Sequence, residues 1–121
     1  MSKRILVIED TEDNRNIVRD LLTSAGYEMI EAVTGEEGVE MAALHKPDLI
    51  LMDIQLPVID GYEATRRIKA NPELKAIPVI AVTSYALAGD EQKTRDAGCD
   101  GYVAKPFSPR QLLAKVREFV G

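Results

Sequence analysis

Four consecutive apolar residues, Leu49-Ile50-Leu51-Met52, run directly into Asp53. A strand with one wet face alternates apolar and polar side chains. A run apolar at every position belongs to a strand covered on both faces, which in practice means a parallel sheet between two layers of helices. Ile5-Leu6-Val7-Ile8 and Val79-Ile80-Ala81-Val82 carry the same signature. Between these runs the period becomes helical. Ile17, Val18, Leu21, Leu22 and Ala25 share one predicted face before Gly26, and Val39, Ala42 and Ala43 do so within Gly35 to His45, where Lys46-Pro47 stops the helix. Tyr27 to Ala32 fills the place of a second strand, Tyr62 to Ala70 and Ala86 to Ala97 those of two more helices, and Gly101 to Ala104 that of a fifth strand. Ser108-Pro109 opens a last helix with Leu112, Leu113, Val116 and Phe119 on one face. Strict alternation of five strands and five helices predicts an α/β fold. Its core is a five-stranded parallel sheet, doubly wound, with right-handed crossovers and with ligands bound beyond the carboxyl ends of the strands.

The 121 residues suit one domain, expected over 1–121, with no linker and no output domain. A net charge of -5 repels a phosphate backbone, so nucleic acid is not an expected direct partner. The apolar runs are far shorter than the roughly 20 residues that span a bilayer, and no membrane insertion is expected. The basic start Met1-Ser2-Lys3-Arg4 precedes only four apolar residues before Glu9-Asp10, which reads as a strand rather than a leader. Cys99 has no second cysteine to pair with, in keeping with a reducing, cytoplasmic setting.

The strands end in chemistry: Glu9-Asp10 after the first, Asp53 after the third, Thr83 after the fourth and Lys105 after the fifth. Singly, each is an ordinary solvated loop residue. Together, in this topology, they converge on one pocket. Two carboxylates about 4.5 Å apart at an effective dielectric of about 20 repel by roughly 3 to 4 kcal/mol, so the set calls for a bound cation. Oxygen ligands and hard charge suit Mg²⁺, with Mn²⁺ as the alternative and with Asp10 and Asp53 as ligands. Lys105 adds a fixed positive charge and Thr83 a hydroxyl donor, which suits a phosphoryl group carried on Asp53 as nucleophile.

These residues, in the strings Ile5-Leu6-Val7-Ile8-Glu9-Asp10, Asp48 to Pro57 with Asp60-Gly61, and Lys105-Pro106-Phe107, resemble the signature of response-regulator receiver domains, and the resemblance covers the whole chain. It implies the flavodoxin-like receiver fold with strand order 2-1-3-4-5. It implies that Asp53 accepts a phosphoryl group from a histidine kinase or phosphotransfer protein. Mg²⁺ would be held by Glu9, Asp10, Asp53 and the Gln55 backbone carbonyl, and the phosphoryl oxygens by Thr83 and Lys105. Further implications are a cis bond before Pro106 and a switch in which Thr83 and Tyr102 shift together between two packings. Gln55 and Tyr85 stand where phosphate lifetime is tuned in the family, and Tyr85 is expected to screen the acyl phosphate from water. Output would leave through the fourth helix, fifth strand and fifth helix, about Ala86 to Val120, to a partner protein, from a monomer or weak dimer. The overall look is nearest to single-domain receivers of the DivK type, which regulate histidine kinases.

Two rival chemistries fit less well. Phosphohydrolases of the haloacid dehalogenase type share the aspartate nucleophile, Mg²⁺, a hydroxyl residue and a lysine. Their proton-transfer aspartate lies two residues after the nucleophile, where this chain has Gln55. A flavin-phosphate site needs neutral backbone donors after the first strand, and Glu9-Asp10-Thr11-Glu12-Asp13 would repel it. The chain is therefore expected not to be an enzyme beyond phosphorylating and dephosphorylating itself. His45 beside Lys46-Pro47 reads as a surface residue, Cys99 as a small buried hydrophobe, and Glu12 and Asp13 as first-turn acids that favour a helix N-terminus.

Overall fold

The computed structural model describes residues 2–84 and 88–120. The elements alternate as β1 (Arg4–Ile8), α1 (Glu12–Ser24), β2 (Glu28–Ala32), α2 (Gly35–His45), β3 (Leu49–Asp53), α3 (Gly61–Ala70), β4 (Val79–Thr83), α4 (Ala88–Ala97), β5 (Gly101–Ala104) and α5 (Pro109–Val120). All five strands are parallel, in the order β2-β1-β3-β4-β5. β3 is central, and every one of its residues is buried.

The strand residues divide by parity. Leu6, Ile8, Ile50, Met52, Val79 and Ala81 pack with Ala42 of α2 and with Ala64 and Ile68 of α3. Ile5, Val7, Leu49, Leu51, Ile80, Val82 and Val103 pack with Val18 and Leu22 of α1 and with Leu112 and Val116 of α5. Each strand thus feeds two cores, which is why its apolar run shows no alternation.

Two inward positions predicted from helical spacing face outward instead. Ile17 is 56% exposed, because α1 buries a narrow stripe through Val18 and Leu22, four residues apart, and Ile17 lies beside it. Ala43 is exposed, because α2 turns Gly38 and Ala42 to the sheet and packs Gly35 against Ile59. That small-residue stripe lets α2 approach closely: a Cβ on Gly38 would stand 2.4 Å from Ile8 Cδ1.

Local chemistry sets the helix ends near the carboxyl edge. Thr34 accepts a hydrogen bond from Glu37 N while Glu37 accepts one from Val33 N, and ahead of α5 Ser108 and Gln111 bond each other both ways, Ser108 N to the Gln111 side chain and Gln111 N to the Ser108 hydroxyl. Asp60 caps α3 by accepting from Glu63 N at 2.9 Å. Gly61 follows it, where a Cβ would fall 2.4 Å from the backbone oxygen of Asp53, so α3 can start against the end of β3 only with glycine there.

Candidate acidic and phosphoryl site

The ends of β1, β3, β4 and β5 deliver their polar residues to one place. One carboxylate oxygen from each of Glu9, Asp10 and Asp53 lies within 4.8 Å of the others. Glu9 and Asp53 are 5% and 4% exposed, whereas Asp10 is open to solvent. Lys105 Nζ sits 3.3 Å from Glu9 Oε1 and 3.6 Å from Asp53 Oδ1. Thr83 is buried at the end of β4, and its backbone oxygen accepts from Lys105 N at 2.7 Å, which couples the two strand ends. The Lys105–Pro106 peptide is cis.

The charges do not balance. Three carboxylates face one ammonium, and Glu9 Oε2 is buried with no hydrogen-bond partner among the described residues. Burial raises the Glu9 carboxyl above its ordinary 4.5. The neighbouring Asp53 raises it further, and Asn14 and Lys105 pull the other way. A cavity of about 450 Å³ adjoins the acids and is lined largely by apolar side chains, Val7, Val18, Leu51, Val82, Phe107 and Leu112 among them. That apolar lining makes the repulsion costly. An orphaned buried acceptor beside two further carboxylates is the donor set of a hard divalent cation, and Asp10 gives it a wet side through which a hydrated ion can enter.

Asp53 is braced from behind. Gln55 N donates to its Oδ1 at 3.0 Å, and the Gln55 side-chain oxygen accepts from Ser84 N at 3.1 Å, tying the loop after β3 to the loop after β4. Tyr102 lies half-buried on β5 against the core on the α2 and α3 side. Tyr85 lies outside the described residues. Cys99 is half-buried beside Thr65, and burial raises its thiol above the ordinary range, as for an inert small hydrophobe.

Sequence reading missed Asn14, whose Nδ2 donates to Glu9 Oε1 at 2.8 Å, and Arg15, whose Nη1 donates to the Glu9 backbone oxygen at 2.9 Å. The available signal was position: a residue in the first turns after a strand-ending acid can face back toward it.

The response regulator receiver domain family matches residues 5–117. The polar-differentiation response regulator DivK of Brucella ovis is 44% identical over 121 residues, covering 100% of this chain and 98% of that protein. The receiver domain of a sensor histidine kinase from Pseudomonas aeruginosa PAO1, solved with a magnesium ion coordinated in its active site cleft, superposes with a TM-score of 0.93 at 37% identity, covering 100% of this chain and 99% of that one. The chemotaxis protein CheY4 of Vibrio cholerae gives the same TM-score at 27% identity, with 98% and 99% covered.

Proposed function

The chain belongs to the response regulator receiver domain family of two-component signalling, and from that premise we propose that Asp53 accepts a phosphoryl group from a histidine kinase or a histidine phosphotransfer protein. The observation that carries the proposal is the charge imbalance around Asp53 among the described residues: three converging carboxylates, one lysine and a buried carboxylate oxygen without a hydrogen-bond partner.

In the reaction a carboxylate oxygen of Asp53 forms a bond to phosphorus as the phosphorus–nitrogen bond of the donor breaks, and the donor imidazole leaves with the bonding pair and takes up a proton. Glu9, Asp10, Asp53 and the Gln55 carbonyl would hold the cation, Mg²⁺ or Mn²⁺, which when bound supplies positive charge for the transferring oxygens. Lys105 Nζ, already between Glu9 and Asp53, stands where it can pair with those oxygens, and the Thr83 hydroxyl donates to another. Gln55 N engages Asp53 Oδ1 and leaves the second oxygen for attack. Gln55 cannot move a proton, so the site phosphorylates itself and loses that phosphate rather than turning over external substrate.

The signal then leaves by protein contact. The groove between β5 and α5, lined by Tyr102, Ala104, Pro106, Gln111 and Lys115, is the output face in this reading, and Thr83 with Tyr102 is the element that shifts. In this reading the chain acts in the cytoplasm without direct nucleic-acid contact, as a monomer or weak dimer. No helix among the described residues is long and apolar enough to cross a membrane.

Incubation of the parent and Asp53→Asn with acetyl phosphate, with and without Mg²⁺, followed by intact mass measurement, tests the chemistry. The expected result is one phosphoryl adduct on the parent, in Mg²⁺ only. An adduct that survives Asp53→Asn, or that forms equally in chelator, overturns the proposal.

A further inference from the structure

Glu9 is held from two sides by one helix. Arg15 Nη1 donates to its backbone oxygen at 2.9 Å while Arg15 Nε lies 3.4 Å from Glu31 Oε1, so the backbone at the end of β1 is tied to α1 and β2. Asn14 Nδ2 donates to the side-chain Oε1 at 2.8 Å. The other donor to Oε1 among the described residues is Lys105 Nζ, at a looser 3.3 Å. Oε2 is buried and has no hydrogen-bond partner among the described residues.

A carboxylate beside a lone flexible ammonium swings toward it, and both its oxygens are then spent on that pair. A neutral amide on Oε1 restrains the carboxylate without adding charge, so the attraction for a cation at Oε2 is undiminished. Asn14 is the third residue of α1, in its first turn, and an asparagine amide competes readily for nearby polar groups. Here the competition is put to use, since the amide reaches out of α1 to the end of β1. We infer that Asn14 is a positioning residue for the cation site, holding Glu9 by Oε1 so that Oε2 is presented to a divalent ion. The inference rests on the divalent-cation reading given above.

Calorimetric titration of Mg²⁺ into four proteins tests it: the parent, Asn14→Ala, Glu9→Gln and the double variant. Groups that orient a metal ligand typically contribute about tenfold or more to affinity. Asn14→Ala is expected to weaken Mg²⁺ binding about tenfold in the parent background and less than about twofold when Glu9 is already glutamine, because the amide acts through that carboxylate. Alanine favours the helix, so thermal midpoints in chelator should match; Asn14→Leu, similar in size and without a donor, repeats the test. Equal affinity in parent and Asn14→Ala, or the same loss in both backgrounds, overturns the inference and leaves the cation site standing. A folded parent that binds no Mg²⁺ overturns the cation site and the inference together.

Discussion

Two lysines bracket β5 and show opposite uses of the same side chain. At the amino end of the sheet, Lys69 Nζ donates to Lys75 O at 3.0 Å, to Ile77 O at 2.8 Å and to Asp100 Oδ2 at 2.9 Å, while Val79 N donates to the same Asp100 oxygen. All three of its protons are spent at good length. At the carboxyl end, Lys105 Nζ stands 3.3 Å and 3.6 Å from two acids that repel each other. The side chains are alike in exposure, 18% and 22%, so burial does not distinguish them. Satisfaction does. The saturated lysine fastens α3, the segment before β4 and the start of β5 into one unit. The unsaturated one holds its contacts loosely enough to exchange them for the oxygens of an incoming group.

The largest test of this contrast is Lys105→Met assayed with Mg²⁺ present, so that the acids are not left without a cation. Phosphorylation of Asp53 by acetyl phosphate should slow about a hundredfold, the usual cost of removing one charged group from the reacting oxygens and equal to about 2.7 kcal/mol of barrier. The unfolding free energy from urea titration should fall by less than about 1 kcal/mol, as for a loosely held pair. Lys69→Met should do the reverse. It removes the Lys69 donor from two carbonyls and leaves Asp100 with Val79 N alone, and should lower unfolding stability by about 2 kcal/mol, with the phosphorylation rate of the folded protein within about twofold of the parent. A Lys69→Met variant that loses phosphorylation while folded, or a Lys105→Met variant that unfolds, breaks the division.

The two ends also differ in how much the sequence discloses. The carboxyl end is legible because strand-ending acids, Thr83 and Lys105 are rare residues in fixed register with apolar runs, and the topology carries them to one edge. The Lys69 clamp is not, since its carboxylate lies 31 residues away and nothing local marks either partner. The bond from Ser84 to the Gln55 side chain is hidden for the same reason: it spans 29 residues between two loops. Within the fold, the apolar runs announced buried strands but concealed which side chain meets which helix layer, because both faces are apolar. Ile17 shows the limit of helical spacing, which marks residues near a buried stripe without fixing its width. Asn14 is intermediate, close enough to Glu9 in sequence to be suspected, yet showing its direction only once α1 is placed.

Mg²⁺ sharpens the comparison further. At about ten times its Kd, Mg²⁺ should raise unfolding stability by about 1.4 kcal/mol. Lys69→Met should keep this increment, and Glu9→Gln should lose most of it, as measured by urea unfolding with and without chelator.

The smallest effect isolates the repulsion that Lys105 only partly relieves. Burial and Asp53 raise the Glu9 carboxyl above its unfolded value of 4.5, so between 4.5 and the raised value the folded chain binds more protons than the unfolded one. Stability conferred by this group is therefore present at and below 4.5 and declines as pH rises through that window, after which it is flat. In chelator, the parent should lose stability relative to Glu9→Gln as pH rises from 4.5. With Mg²⁺ the decline should shrink, because the ion favours the ionised carboxylate and draws the folded-state value down. Parallel pH profiles for parent and Glu9→Gln in chelator would mean that Lys105 already satisfies the acids, and the two lysines would then be the same device placed at opposite ends of one strand.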